Sequence, residues 1–514
     1  MKPHDPRAEI ASESSPAAPE PAEELVPYDW QALRDKLASL TSRRYWRSLD
    51  ELADSERFRA FLQAEFPREA SLLDAVGRRQ FLQLMGASLG LAGLSACTKQ
   101  PLERIYPYVK PPEEVIPGKP LFFATTLPLS GVGRGVLVES HMGRPTKIEG
   151  NPDHPASLGA TDVFAQADIL TLYDPDRSQT VRFAGVIRPW TAFVAAAQGA
   201  YEAQKAKRGA GLRILTEAVT SPSLAAQLEA LLAELPLARW HRFEPVNRDR
   251  ARAGAALAFG EVLDPVYHLD RAQVVVSVEA DLLGPNPGSV RYARQFAASR
   301  RLEDNGGSMS RWYVVESAPT VTGSVADHRL ALRPSEAEGF VRALAAALGL
   351  PVQAPASAQK YAGWVQALAK DLKAHRSRSV VVVGEALSPQ AHALAWAING
   401  ALANVGRTVE LIEPVEARAS EPQLDSLQAL VADMQAGKVE VLLILGGNPV
   451  YTAPADLRFA EALQKVPLRM HWGLYQDETA QLCHWHVPAA HVLESWGDLR
   501  AFDGTVSLVQ PLIA

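Results

Sequence analysis

From about Leu212 to Val450 the chain alternates short, continuous apolar runs with longer amphipathic stretches. Runs of four to eight β-branched or apolar residues bounded by turn residues read as buried strands, and apolar positions three to four apart read as helices. The strands predicted in this way are LRILTE (212–217), QVVVSVEA (273–280), RWYVVES (311–317), RSVVVVGEA (378–386), TVELIEP (408–414) and VEVLLILGGNP (439–449). The helices predicted between them span 221–235, capped by Ser221, then 335–348 after Arg333-Pro334, 389–402, 421–436 and 455–465. Alternation of this kind predicts α/β units with mostly parallel sheets, and the apolar stretches 273–280 and 439–445 are expected at sheet centres. Loops and ligands then belong at the carboxyl ends of the strands.

Upstream the pattern changes. In GVLVESHMGRPTKIEGNP, alternation through Val136, Val138 and Ser140, a turn at Met142-Gly143-Arg144 and a return through Thr146-Lys147-Ile148 predict a hairpin. Residues 98–120 hold six prolines and read as an extended arm. Trp30, Leu33, Leu37 and Leu40 recur at helical spacing, and a second helix ends at Pro67. The first 28 residues, rich in Ala, Pro, Glu and Ser, are expected to be disordered. The predicted organisation is 1–28 disordered, 29–76 helical, 77–97 a signal, 98–120 an arm, 121–190 a small β-rich domain, and 191–350 and 375–514 two α/β domains, the second incomplete.

Composition narrows the function. The 514 residues are 47% hydrophobic and 21% charged with a formal charge of −6, which fits a multidomain globular chain and argues against a nucleic-acid partner. Two cysteines, Cys97 and Cys483, preclude a disulfide framework and a cysteine-held iron–sulfur cluster, which normally takes about four thiolates.

Cys97 closes the stretch GRRQFLQLMGASLGLAGLSAC. Arg78 and Arg79, an apolar run from Phe81 to Leu94, and small residues before Cys97 together form a twin-arginine export signal with a lipobox, although 77 residues precede the arginines. The run is too short to cross a bilayer, which needs roughly 20 apolar residues. Lipidation of Cys97 would anchor the exported domain, and one acyl chain holds only weakly without further acylation or partners.

Candidate chemistry elsewhere is sparse. Three predicted strand ends carry Gly and acidic residues of the kind that approach phosphates or riboses: Glu279-Ala280-Asp281-Leu282-Leu283-Gly284, Gly384-Glu385 and Gly446-Gly447-Asn448. None forms a complete dinucleotide or phosphate-loop fingerprint. Cys483, His484, His486 and His491 have side chains that can ligate a metal, but alternation along a strand points 483 and 485 away from 484 and 486. No HExxH signature is present, and the one GxSxG run, Gly86 to Gly90, lies inside the export signal and has no hydrolase context.

Five stretches resemble the molybdopterin oxidoreductase superfamily. VLVESHMGRPTKIEGNPDHPASLGATDVFAQADILTLYDPDRSQTV (136–181) is similar to its first domain, through Gln166, Ala167, Leu172, Tyr173, Pro175 and Arg177. ADHRLALRPSEAEGFVRALAAAL (326–348), LLILGGNPVYTAPAD (442–456), DETA (477–480) and HVLESWGDLRAFDGTVSLVQPLI (491–513) resemble later parts of the same fold. The N-terminal YWRSLDEL (45–52), Glu65-Phe66-Pro67 and the signal resemble a narrower group, the B subunit of alternative complex III and its quinone-reductase relatives. The resemblance implies an α/β, molybdopterin-oxidoreductase-like multidomain fold with Rossmann-like parallel sheets and a truncated C-terminal domain. It also implies a periplasmic complex that oxidises membrane quinol, with a ferredoxin-like iron–sulfur module, a multihaem cytochrome c subunit and quinol-binding membrane subunits as partners.

Departures from the superfamily pattern shape the expected chemistry. Ala124-Thr125-Thr126-Leu127-Pro128 stands where catalytic relatives carry a cysteine cluster motif, and no cysteine stands near residue 221, where the fold places the molybdenum ligand. Ser221 and Ser223 are the residues available there, although Ser221 is already accounted for as a helix cap. The expectation is a chain with no catalytic, cofactor or metal residues of its own, its iron–sulfur clusters belonging to the ferredoxin-like module missing from it. The competing expectation is an active molybdopterin oxidoreductase with a non-cysteine ligand.

Overall fold

The computed structural model describes residues 114–129, 131–303 and 306–513, together with Gln31, Arg34 and Asp35. The chain divides into two units, Met1–Val109 and Lys110–Ala514. In the first, Gln31, Arg34 and Asp35 are helical, and Arg34 and Asp35 are exposed. The export signal with Arg78, Arg79 and Cys97, the remainder of the predicted N-terminal helices and most of the proline-rich arm lie outside the described residues.

The second unit opens with a three-stranded antiparallel sheet, β1 (Leu121–Leu129), β2 (Val132–His141) and β3 (Arg144–Gly150). The turn from β2 to β3 falls at Met142-Gly143 as the sequence predicts. Both residues have positive φ, +53° and +80°, the tight-turn geometry whose twist matches an antiparallel pair. Val136, Val138 and Ile148 point inward and pack under the helix Val163–Leu172.

The remaining strands in chain order are β4 (Arg182–Phe183), β5 (Val186–Ile187), β6 (Leu212–Thr216), β7 (Arg239–Arg242), β8 (Asp264–Tyr267), β9 (Val274–Val278), β10 (Arg311–Glu316), β11 (His328–Ala331), β12 (Ser379–Val383), β13 (Val409–Ile412), β14 (Val441–Leu445), β15 (Leu468–Gly473), β16 (Trp485–Pro488), β17 (Gly497–Arg500) and β18 (Val506–Val509). A seven-stranded sheet runs β5-β4-β16-β15-β14-β6-β7, parallel from β16 to β7 and antiparallel at the β4–β5 edge. A four-stranded parallel sheet runs β11-β10-β9-β12. Each sheet takes strands from both sides of residue 350.

β9 and β14 have neighbours on both sides, as their apolar sequences predict. In β9, Val274, Val276 and Val278 meet Phe340, Leu344 and Leu368 on one face, while Val275 meets Trp312 and Val380 on the other. In β14, Leu442 and Ile444 pack on Leu427, Leu430 and Phe459, and Leu443 turns to Phe193, Met470 and Trp485. Cover on both faces is why these strands read as unbroken apolar runs.

Two elements differ from expectation. The predicted strand 408–414 leaves the main sheets, and its core β13 pairs antiparallel with β8. The predicted helix 455–465 is a 3₁₀ turn (Ala455–Leu457) and a short helix (Phe459–Gln464), separated by Arg458 at φ +50°, a left-handed backbone that helix propagation cannot cross.

Candidate functional site

In the seven-stranded sheet the connection from β6 leads outward to β7, whereas that from β14 leads the opposite way to β15. Chain order therefore reverses between β6 and β14, and the loops after them diverge to leave a crevice, the place where open parallel sheets bind ligands. Thr216, Glu217, Glu244, Gly446, Gly447 and Asn448 line a cavity of about 100 Å³ there. Gly446 and Gly447 have φ of +73° and +70°, and a Cβ on either would stand 3.0 Å from the Glu217 side chain. The paired glycines thus bring the backbone against a carboxylate.

Glu217 stands exposed at the mouth, yet shielding of its carboxyl by the surrounding protein raises its pKa. Burial raises Glu244 to about 7, with the charge of Glu217 adding to the effect. Asn448 closes one side. Its Oδ1 accepts from Thr479 Oγ1 at 2.7 Å and its Nδ2 donates to Glu478 Oε2 at 2.6 Å. Replacing Asn448 with Ala is expected to cost about 1–2 kcal/mol by removing these bonds. Amide exchange at Thr479 and Ala480 should accelerate more than at β14; equal protection in the parent and variant would contradict this.

The four-stranded sheet has its own reversal between β9 and β12. Glu279–Gly284 and Gly384–Glu385 meet there, so the structure brings together loops far apart in sequence. Gly384 N–H donates to Val278 O at 2.9 Å, and a Cβ at Gly384 would lie 1.8 Å from the Glu279 carbonyl oxygen. Backbone contact fills the gap that elsewhere forms a crevice. Glu279 itself is left-handed at φ +53°, and its Oε2 accepts from Ser317 Oγ at 3.1 Å. Asp281 Oδ1 accepts from the backbone N–H of Thr322 at 3.0 Å and from its hydroxyl at 2.6 Å. Glu385 pairs with Arg248 Nε at 3.1 Å, and Arg248 reaches Asp264 at 3.3 Å. Arg252 then links Asp264 to Glu416, and Glu416 binds Arg242. Burial pushes Asp264 up, but Arg248 and Arg252 outweigh it and hold the carboxyl below its ordinary range.

Ser221 and Ser223 are drawn together by Asp498 on β17. Ser221 Oγ donates to Asp498 Oδ1 and accepts from Leu224 N–H at 3.0 Å, which makes it the cap of the helix Pro222–Glu234. Ser223 Oγ donates to Asp498 Oδ2 at 2.5 Å. These residues do not fit a molybdenum–pterin group. Asp498 already engages both hydroxyls, that of Ser221 also caps a helix, and the nearby crevice presents carboxylates where a phosphate-bearing cofactor needs donors.

The Cys–His cluster separates into three places. Cys483 ends the helix Glu478–Leu482, and burial pushes its thiol up to about 12. His486, on β16, stands beside His471 of β15 with their Nδ1 atoms 3.2 Å apart. His471 Nε2 lies 3.3 Å from the Gly447 carbonyl, and His486 Nε2 lies 2.6 Å from Ser178 Oγ. One set of neutral tautomers satisfies all three contacts: Ser178 donates to His486, His486 to His471, and His471 to Gly447. His491 lies elsewhere, its Nε2 2.8 Å from Thr171 Oγ1. Among the described residues no group of three or more His, Cys, Asp or Glu side chains is arranged to hold a metal ion.

The residues that carry the superfamily resemblance contact one another. Arg177 grips Glu494 through two bonds, at 3.1 and 2.6 Å, joining the 136–181 and 491–513 stretches. Tyr173 OH donates to Pro145 O at 2.6 Å, and Asp477 caps its helix by accepting from Ala480 N–H at 2.8 Å. The carboxylates Glu217 and Glu244 were not found from sequence. Glu217 does follow a predicted strand, but Glu244 follows β7, whose Arg239-Trp240-His241-Arg242 hides a strand behind charged side chains.

No family model matches the sequence. Among curated proteins the chain is similar to the menaquinone reductase, molybdopterin-binding-like subunit, of Nitratidesulfovibrio vulgaris, at 25% identity over 431 residues. The match takes in 75% of this chain and 60% of that protein, so the chain spans well under two thirds of the relative's length. Among solved structures its fold matches acetylene hydratase from Pelobacter acetylenicus with a TM-score of 0.57 at 12% identity, over 76% of this chain and 66% of that one. The chain thus has an α/β, Rossmann-like multidomain fold resembling that of molybdopterin oxidoreductases, and its sequence is similar to a molybdopterin-binding-like subunit.

Proposed function

We propose that this chain is a non-catalytic, molybdopterin-fold scaffold subunit of a membrane-associated quinol-oxidising electron-transfer complex of the alternative complex III type. The observation that carries the reading is the engagement of Ser221 and Ser223 by Asp498, at the position where the superfamily resemblance leads one to expect a metal ligand. Similarity to a molybdopterin-binding-like subunit of a menaquinone reductase supports the quinone-linked setting. In this reading the chain supports a ferredoxin-like iron–sulfur module, a multihaem cytochrome c and quinol-binding membrane subunits. Arg78 and Arg79 direct it to the periplasmic face of the membrane, and Cys97 carries a lipid. No helix among the described residues is long and apolar enough to cross a membrane, so attachment in this proposal runs through the lipid and the partners.

Elemental analysis of the washed, folded chain tests the proposal together with quinol oxidation by the complex lacking it. The expected result is neither molybdenum nor tungsten in the chain, with quinol oxidation lost on its deletion. Stoichiometric molybdenum or tungsten that disappears in a Ser221→Ala or Ser223→Ala variant would replace the scaffold reading with an active oxidoreductase using a serine ligand.

A further inference from the structure

Beside the edge of the seven-stranded sheet lies a second cavity, of about 250 Å³, lined by Arg182, Gln476, Gln481, Cys483, His484 and His486. We propose that it binds a phosphate-type oxoanion, held by Arg182 and His484. The proposal is independent of the scaffold role.

Three features point to an anion. Arg182, on β4, makes one weak contact, Nη1 to Gly185 O at 3.3 Å, and among the described residues it pairs with no carboxylate. Arg469 contributes a second uncompensated charge. Its guanidinium donates only to backbone carbonyls, those of Leu482 at 2.7 Å, Val466 at 2.6 Å and Gln464 at 3.3 Å. Finally, His484 Nδ1 accepts from Arg469 N–H at 3.1 Å, which leaves the proton of the neutral ring on Nε2 as a donor. The side-chain amides of Gln476 and Gln481 add donors without charge.

Little opposes this field. Asp477 is the nearby acid, and one of its oxygens already caps the helix Glu478–Leu482. Burial holds His484 below its usual range, followed by the charge of Arg469; for His486, burial is followed by His471 and Arg182. The buried Cys483 thiol stays neutral and adds no negative charge. Arginine and imidazole N–H donors around a polar cavity suit a phosphate or sulfate. The cavity exceeds an inorganic phosphate in size, so it also accommodates the first atoms of a phosphate ester, whether soluble or the headgroup of a lipid.

Calorimetric titration of the full chain with inorganic phosphate tests the site, with sulfate alongside and chloride at matched ionic strength as the control. Phosphate should bind saturably at one site while chloride gives no heat. Arg182→Gln should weaken binding by about tenfold or more, as loss of a charge-assisted contact implies. Arg342→Gln, an equal change of charge at an exposed helix position outside the cavity, should not. The imidazole Cε1–H resonances of His484 and His486 should shift on phosphate addition in the parent and stay fixed in a folded Arg182→Gln variant. Equal binding by the parent and Arg182→Gln, or an equal response to chloride, would overturn the proposal. Co-sedimentation with phosphatidylcholine vesicles, with and without phosphatidic acid, separates the sources. Arg182-dependent capture by phosphatidic acid identifies a headgroup, and binding of soluble phosphate alone identifies a free oxoanion.

Discussion

Replacing Glu416 with Ala is expected to lower the unfolding free energy by about 3–5 kcal/mol, the usual cost of orphaning a buried charge. Glu416 is 8% exposed and accepts from Arg242, from Arg252 and from Gln423 Nε2, the last at 2.7 Å. Arg252 retains Asp264 when Glu416 is removed. Arg242 does not have that recourse. It is fully buried, and its remaining bonds run to the carbonyls of Arg418 and Glu421 at 2.6 and 2.9 Å. Burial already pulls Arg242 below its ordinary range, with Glu416 as its largest opposing influence. Glu416→Gln, which keeps an acceptor, should lose less. Glu229→Ala, which breaks an exposed pair with Arg418, should cost under about 1 kcal/mol. Urea unfolding of the three variants checks the order, and a similar small loss for Glu416→Ala and Glu229→Ala would refute it.

The second large effect is acid lability. Burial depresses both His241 and His486 to about 4, and both are 3% exposed. Unfolded, each takes up its proton near pH 6.5; folded, each resists until about pH 4. The unfolded chain therefore binds more protons through this window, and stability falls as the pH falls, by about 1.4 kcal/mol per unit for each histidine. Below the folded values the loss levels off, and above about 6.5 it vanishes. Glu244 works in the opposite direction, because its raised pKa favours proton uptake by the folded chain between about 7 and its ordinary range. Glu244 thus subtracts from the slope that the depressed histidines set in this window. His486→Gln isolates one contribution: its unfolding free energy should depend less steeply on pH between 6.5 and 4 than that of the parent. Identical slopes would exclude His486 as a source.

Much of the fold was legible because parallel sheets with both faces covered write themselves as apolar runs. β9, β12 and β14 stand where Val274–Val278, Ser379–Val383 and Val441–Leu445 announce them. β7 and β15 were not legible. Arg242 and His241 are buried in β7 only because Glu416 and the Ser426 carbonyl meet them, and sequence periodicity does not register such distant partners. The site divides in the same manner. Glycines after strands marked both reversal points, but which one opens and which is sealed depends on the approach of Gly384 to Glu279 across the sheet. The Cys483–His491 cluster disperses because neighbours in sequence serve different packing surfaces: His486 joins His471, while His491 braces Thr171.

The sharing of strands between distant segments bears on how the chain is made. β6 and β7 emerge from the ribosome long before β14, yet β6 finds its inner neighbour only when Val441–Leu445 has been synthesised. β9 likewise waits for β12. Until then each presents an unpaired edge, the kind of surface that invites aggregation during slow, non-local folding. Neither sheet matures domain by domain as translation proceeds. The four-stranded sheet can close once β12 is made, but a nascent chain stalled before residue 441 still lacks the inner neighbour of β6 and leaves the larger sheet unfinished.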